Sequence, residues 1–416
     1  MRSALTPFRS RSYRFQWPAD LLTSWALEME FLILGWYVLV ETGSVVLLTV
    51  FGALQHGGTL IAPILGVVSD RIGPRNLLTC MRLSYAAIAT TLMTCAFVGA
   101  LNPMIVLVLV AFMGLIRPSD LGLRAALIAD TMPHEQLTGA MGMSRITSDS
   151  ARIAGALTGA GLFALLGMGP AYVVIASFYA LAALLTSQAD SAHSRKATEP
   201  ITATVTGRVS AWTDLRDGVV YIWNTPSLIA IIALVLLFNF TAFPLTNALL
   251  PYVAREVYQV DQSGLSYLIA SIAFGAMLGG VLISRVGVST QLPRLMIASA
   301  VIWHALLLVF AQMQSLSGGI AMLLISGVFQ SLAMVSLTVI LVREAGQRFR
   351  GRVMGVRMMA IYSLPVGLLI AGALIERIGF AATATLYAAL GLACTILIAL
   401  YWRAHMWPAL ESAPAE

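Results

Sequence analysis

Gly66-Val67-Val68-Ser69-Asp70-Arg71-Ile72-Gly73-Pro74-Arg75 is the stretch on which the reading of this chain turns. It places three charges between two long apolar runs. Gly66 suits a close approach of two helices before the charges, and Gly73 suits a tight turn within them. Asp70 is positioned to accept hydrogen bonds from the start of a neighbouring helix, while Arg71 and Arg75 favour one side of a membrane. The pattern returns 214 residues later as Gly280-Val281-Leu282-Ile283-Ser284-Arg285-Val286-Gly287, with Ser284 in place of the acid. A second echo has nearly the same offset: Ala140-Met141-Gly142 against Val353-Met354-Gly355, then Gly159 against Gly372. Two halves running in the same direction are expected.

Composition sets the solvent. Of the 416 residues 59% are hydrophobic and 11% charged, too few charges to cover a soluble domain of this length. The net charge of +6 hints at nucleic acid, but the charges cluster between apolar runs, as a topology signal does. No nucleic-acid partner is expected. Cys80, Cys95 and Cys394 lie within apolar segments at spacings unsuited to metal or disulfide, so no metal site is expected. Lys196 is the only lysine and stands between Arg195 and Ala197, which excludes a Gly-Lys-[Ser/Thr] phosphate loop. Active transport by this chain would be gradient-driven, with no cofactor beyond a proton gradient.

A membrane span needs roughly 20 apolar residues. Six such segments run near 18–40, 45–68, 77–99, 103–129, 142–165 and 170–187, and six more near 227–250, 263–283, 293–312, 318–342, 354–375 and 380–402. The expected fold is all-α: a polytopic membrane protein of twelve transmembrane helices in two six-helix bundles related as a parallel pseudo-repeat. The expected domains are 1–188, a cytoplasmic linker 189–225, and 226–416. Within the linker Ala211 to Trp223 reads as an amphipathic helix lying along the membrane face. With both termini in the cytoplasm, only Arg255 and Arg377 fall in loops on the far side. The Arg- and Ser-rich first sixteen residues then form a cytoplasmic tail rather than an organellar leader.

Placed after the second span, residues 66–75 resemble the G-x-x-x-D-R-x-G-R-[RK] loop of the major facilitator superfamily. Pro74 stands where a basic residue is usual. The resemblance implies a conformational latch of Gly66, Asp70, Arg71, Gly73 and Arg75, one-sided because Ser284 lacks the charge. Arg152-Ile153-Ala154-Gly155-Ala156-Leu157-Thr158-Gly159 is similar to the A-R-x-x-G-P-x-x-G stretch of the branch holding the enterobactin exporter and related drug:proton antiporters, with Ala156 for the usual proline. Leu250-Pro251-Tyr252-Val253-Ala254-Arg255-Glu256, followed by Gly264 and Tyr267, also looks like that branch. The likeness covers nearly the whole chain. It implies a secondary transporter and not an enzyme: a monomer in the bacterial inner membrane, working by alternating access.

Charges inside the first half are the most informative feature. Span four carries Arg117, Asp120 and Arg124, and span five carries Arg145, Asp149 and Arg152. Spacings of three and four allow each Asp to pair with Arg on either side. The two triplets mirror each other about a point near residue 134, so an antiparallel hairpin turning there sets them level. Arg117 and Arg152 lie roughly 20 Å of helix rise from the cytoplasmic end, at or past mid-bilayer. Buried charges in membranes are costly and usually functional. Arg124 and Arg145 suit a structural ion-pair role, whereas Arg117 and Arg152 are better placed to meet a substrate.

Glu28 and Glu30 sit near the middle of span one and point in nearly opposite directions. With Asp120 and Asp149 they are the candidate proton carriers, and Glu30 is preferred because related exporters have a polar residue there. His56 and His304 stand alone in apolar spans, where a packing role competes with a functional one. Asn239, Phe240, Phe243, Asn247 and Gln330 suggest a wall for an amphipathic cargo, and Pro244 a break in span seven. Proton-coupled export of drugs, siderophore-like or other amphipathic metabolites is the leading expectation. The alternative is an importer or a lysolipid or organic-anion transporter, with the deep arginines holding an anionic group.

Overall fold

The structure is a computed structural model describing residues 6–59, 65, 68–69, 71–132, 134–189, 211–286 and 292–403. In the first half the helices are α1 (Arg11–Thr42), α2 (Val45–Leu54), α3 (Pro74–Val98), α4 (Pro103–Thr131), α5 (His134–Leu166) and α6 (Met168–Ser187). The second half contains α7 (Ala211–Trp223), α8 (Pro226–Thr246), α9 (Gln262–Val286), α10 (Leu292–Phe310), α11 (Leu316–Glu344), α12 (Gly346–Ala360), α13 (Ser363–Ile378) and α14 (Phe380–Tyr401). No strand occurs among the described residues. Helix is what hydrocarbon demands, because every backbone group must find its partner inside the segment. Local chemistry sets several ends. Asn102 and Ser315 accept hydrogen bonds from the first turns of α4 and α11, and Gly43 and Gly99 close α1 and α3 in the left-handed region.

The architecture is the all-α, twelve-helix membrane fold. Among the described residues, ten helical segments are long and apolar enough to cross a bilayer. The remaining two spans depart for identifiable reasons. The segment expected at 45–68 is helical over Val45–Leu54 and then passes through a turn into a 3₁₀ turn at Gly57–Thr59. Paired glycines at 57 and 58 lower helix propensity there. The fifth span, α5, is ample in length but carries Arg145, Asp149 and Arg152, which hold its hydropathy down.

Two further segments differ from their expected form. The helix α8 runs through Pro244 and ends at Thr246, and the chain continues through a turn at Leu250–Tyr252 and a π-turn at Val253–Val257. The segment expected as one span over 354–375 is two helices, α12 and α13, broken at Ile361–Tyr362.

The chain divides into two compact units, Met1–Thr206 with Gln259–Ala270, and Gly207–Tyr258 with Ser271–Glu416. In the first, α1 packs on α5 and α6, and α3 on α4 and α6. In the second, α10 packs on α11 and α14, and α8 on α13 and α14. Each unit has a helix crossing too tight for any side chain. A Cβ at Gly114 of α4 would overlap the Leu54 carbonyl, and one at Gly327 of α11 would overlap the Ile272 carbonyl. Small residues let helices approach where lipid supplies no hydrophobic drive between them. The amphipathic α7 docks on α12, with the Tyr221 and Phe349 rings stacked at 4.2 Å and Asp217 paired to Arg352 at 3.3 Å. Residues 190–210 of the expected linker lie outside the described residues.

Candidate functional site

The helix α1 carries the acids of the first unit and turns them to different neighbours. Glu28 is half-buried on the side facing α5. There a Cβ at Gly155 would stand 2.7 Å from the Glu28 Cβ and 3.0 Å from the Trp25 carbonyl oxygen. Glycine at 155 is therefore what lets α5 lie against this face. Glu30 is 2% exposed and faces α6, where its carboxylate accepts a hydrogen bond from Tyr179 at 2.8 Å and a long one from Tyr172 at 3.5 Å. The two tyrosines are seven residues apart, two helical turns, and so share one face of α6.

One end of the same bundle holds a denser network. Asp20 of α1 is paired with Arg82 of α3 and lies 3.7 Å from Arg124 of α4. Arg124 also pairs with Asp120 one turn back at 2.5 Å, and donates to the Ser24 hydroxyl at 2.6 Å. Arg82 donates in addition to Thr186 of α6. All four charged side chains are at most 5% exposed. Two cations and two anions make the group neutral, which is how such charge survives away from water. Gln16 completes the frame by donating to the Arg124 carbonyl oxygen at 3.2 Å.

Arg117 lies one turn before Asp120 on α4 and is half-buried. It donates to Gln55, stands 5.9 Å over the Phe31 ring, and is within electrostatic reach of Glu30. His56, next to Gln55, bonds through Nδ1 to the Gly52 carbonyl oxygen at 3.0 Å. Asp149 and Arg152 are half-buried on α5, each with an interaction partner. The side chain of Arg145 lies outside the described residues. Thus Arg124 pairs on its own helix and across to α1, rather than only along the α4–α5 hairpin.

In the second unit the candidates are neutral. Asn239 is buried and donates to the Val235 carbonyl oxygen at 2.8 Å, and Asn247 donates to that of Phe243 at 3.3 Å. The ring of Phe240 stacks on Tyr387 at 5.7 Å, and that of Phe243 meets Trp303 edge-on at 5.5 Å. His304 is fully buried, with Nδ1 2.9 Å from the Ala300 carbonyl oxygen and Nε2 3.1 Å from the Thr241 hydroxyl. It fits because a Cβ at Gly391 of α14 would overlap its ring. Gln330 is buried, and its Oε1 has no partner among the described residues.

Of the latch residues, Gly66 and Asp70 lie outside the described residues. Gly73 precedes α3 at φ +83°, a backbone that favours glycine. Arg71 is exposed, and Arg75 donates to Asn76 and to the Ala189 carbonyl oxygen, both at 3.2 Å.

Sequence reasoning missed Asp20, Arg82, Tyr85, Tyr172 and Tyr179. Asp20 lay near the edge of its span, where a charge is unremarkable. Arg82 offered a usable signal, being a charge five residues inside an apolar span with Tyr85 one turn further on the same face.

The sequence profile of the Major Facilitator Superfamily matches residues 21–366. No curated protein matches the chain. Among solved structures, the nucleoside transporter NupG aligns over 96% of this chain and all of its own, with TM-score 0.71 at 15% identity. The POT family transporter PepTSo aligns over 96% and 99%, with TM-score 0.74 at 13% identity. The human organic anion transporter MFSD10 aligns over 93% and 99%, with TM-score 0.65 at 15% identity. At these identities the likeness establishes the fold.

Proposed function

This chain belongs to the Major Facilitator Superfamily; it is a membrane transporter and not an enzyme, and from that premise we propose that it exports amphipathic small molecules in exchange for protons. The observation that carries the reading is Glu30. It is a carboxyl group buried mid-helix, held by tyrosine hydroxyls rather than paired to an arginine. A membrane-embedded acid is costly unless it is used, and one that can be neutral in one state and charged in another suits proton coupling. The acids of the Asp20–Arg82–Arg124–Asp120 group are already matched by cations, which favours Glu30 over Asp120 as carrier. Glu28 and Asp149 remain the secondary candidates.

In this reading transport is by alternating access, and the first half contributes Arg117, Arg152 and His56 as candidate substrate contacts. The second contributes Asn239, Phe240, Phe243, Asn247, His304 and Gln330. The loop of Gly66, Asp70, Arg71, Gly73 and Arg75 latches the cytoplasmic side. The protein works as a monomer in the inner membrane with both termini in the cytoplasm.

The test is proton movement in proteoliposomes given lipophilic cations, neutral drugs and catecholate-like anions, for wild type, Glu30→Gln and Glu28→Gln. A cargo that drives protons against its own movement, with the coupling lost in Glu30→Gln, is the expected result. Coupling retained in Glu30→Gln sinks the assignment of the carrier, and protons moving with the cargo sink the exporter reading.

A second reading is favoured by Arg117. Its guanidinium is half-buried beside an aromatic ring, a site suited to an anionic group with an apolar body. That arrangement fits an importer, or a lysolipid or organic-anion transporter, on the same fold. Transport of the anions alone, lost in Arg117→Gln, would favour it.

A further inference from the structure

The hydroxyl of Tyr85 is buried in α3 and has no hydrogen-bond partner among the described residues. Phenylalanine would fill the same space without the penalty of about 1–3 kcal/mol for a buried, unsatisfied polar group. Packing alone therefore does not account for a tyrosine here. The ring lies against Tyr179 of α6, with centroids 5.4 Å apart. Its hydroxyl is within electrostatic reach of Asp120, Arg117 and Arg124 of α4 and of Arg82 on its own helix.

Asp120 shows the complementary deficiency. One carboxylate oxygen is paired with Arg124, while Oδ1 is buried with no partner among the described residues. A donor and an acceptor thus stand open in the same bundle interior, among the same charges. Buried polar atoms in native proteins are satisfied by protein or by ordered water, so this pair marks a place for water. On the other side of Tyr85, the Tyr179 hydroxyl already donates to Glu30. Hydroxyl groups, a carboxylate and water are the groups that pass protons along hydrogen bonds.

We propose that Tyr179 and Tyr85, with buried water beside Asp120, form an internal proton relay between Glu30 and the Asp20–Arg82–Arg124–Asp120 network. The inference rests on the reading of Glu30 as the proton carrier and extends it to a route. In the loading direction the Tyr179 hydroxyl gives its proton to Glu30 Oε2. Its oxygen takes one from the Tyr85 hydroxyl across buried water, since the two hydroxyls are not hydrogen-bonded to each other, and Tyr85 is refilled through water from a protonated Asp120. One proton moves, Glu30 ends neutral, Asp120 ends as the carboxylate facing Arg124, and both tyrosines end as they began. Arg117 and Tyr172 are the other groups facing Glu30, and Arg82, Arg117 and Arg124 the others facing Tyr85. None of the arginines gives up a proton, so they set the field of the route without joining it.

The test reads the route directly, without a cargo. Purified protein reconstituted in lipid is switched from light to heavy water, and infrared absorption follows exchange of the protonated carboxyl band that Glu30→Gln removes. Tyr85→Phe is expected to slow that exchange by about a hundredfold, the low end of what a positioned proton-transfer group contributes. The same variant keeps the ring and loses only a water-mediated hydrogen bond, so it should melt within a few degrees of the wild type. Asp120→Asn should slow exchange as well, at a cost in stability. Unchanged exchange in Tyr85→Phe overturns the relay while leaving Glu30 as the carrier. Finding no carboxyl band that depends on Glu30 at any pH overturns both.

Discussion

The two bundles repeat one another in chain order and in their tight glycine crossings, yet they fill their interiors with opposite chemistry. The first buries Asp20, Glu30, Arg82, Asp120 and Arg124. Among the described residues of the second, the buried polar side chains are amides, hydroxyls and His304, with no acid or arginine. A repeated fold fixes where helices run, not what they carry. Charge in one half and neutrality in the other fit the proposal that one bundle responds to protons while the other offers a passive wall. The same contrast predicts that substitutions in the first bundle act through electrostatics and those in the second through shape.

Breaking the ionic interior should have the largest effect. Arg82→Met leaves Asp20 buried with Arg124 as its remaining charged partner, and the loss is expected at about 3–5 kcal/mol. Thermal unfolding in detergent measures it. The double variant Asp20→Asn, Arg82→Met should recover most of that loss, because no unmatched charge remains. A double variant no better than the single would show that the pair acts through shape, and the contrast between bundles would weaken.

The second bundle answers through volume. Gly391→Val pushes two methyl groups into the His304 ring, and overpacking of this kind costs about 1–3 kcal/mol. Adding His304→Ala should relieve it, again read by thermal unfolding. His304→Gln alone should cost about 1 kcal/mol, the worth of its bond to Thr241. If transport is proton-coupled as proposed, it should leave the pH dependence where it was, since the proposed carrier, Glu30, lies in the other bundle. A displaced pH profile in His304→Gln would move part of the coupling into the second half. The smallest effect is expected at the periphery. Asp217→Asn removes a partly exposed pair with Arg352 and should change stability by about 0–1 kcal/mol.

How far the sequence could be read differs from residue to residue. Apolar segments long enough to span a bilayer are legible one at a time, because hydrocarbon screens each segment by itself. The repeat was legible at Gly66–Gly73 and Gly280–Gly287 because the same residue types recur there at one fixed offset along the chain. The opposed faces of Glu28 and Glu30 were legible from a two-residue spacing on a helix. Their neighbours were not. Nothing in the order of residues says that Tyr172 and Tyr179, some 140 positions on, turn toward Glu30 rather than Glu28. The mirror symmetry of the α4 and α5 charges drew attention to that hairpin, whereas Arg124 also reaches α1 at Asp20.

By itself, then, the sequence determined an all-α membrane protein built as two parallel six-helix halves, with its ionisable residues concentrated in the first. Those properties follow from composition, spacing and the one-dimensional placement of charge. The tertiary structure alone decided which charges meet: Asp20 with Arg82 and Arg124, Glu30 with the α6 tyrosines, Tyr85 between them. The physical reason is rotation. A helix in hydrocarbon presents every face to a similar solvent, so its azimuth is set by where neighbouring backbones come close, as α5 does against α1 at Gly155 and Gly159. A turn of a few tens of degrees about that contact would hand each acid a different partner.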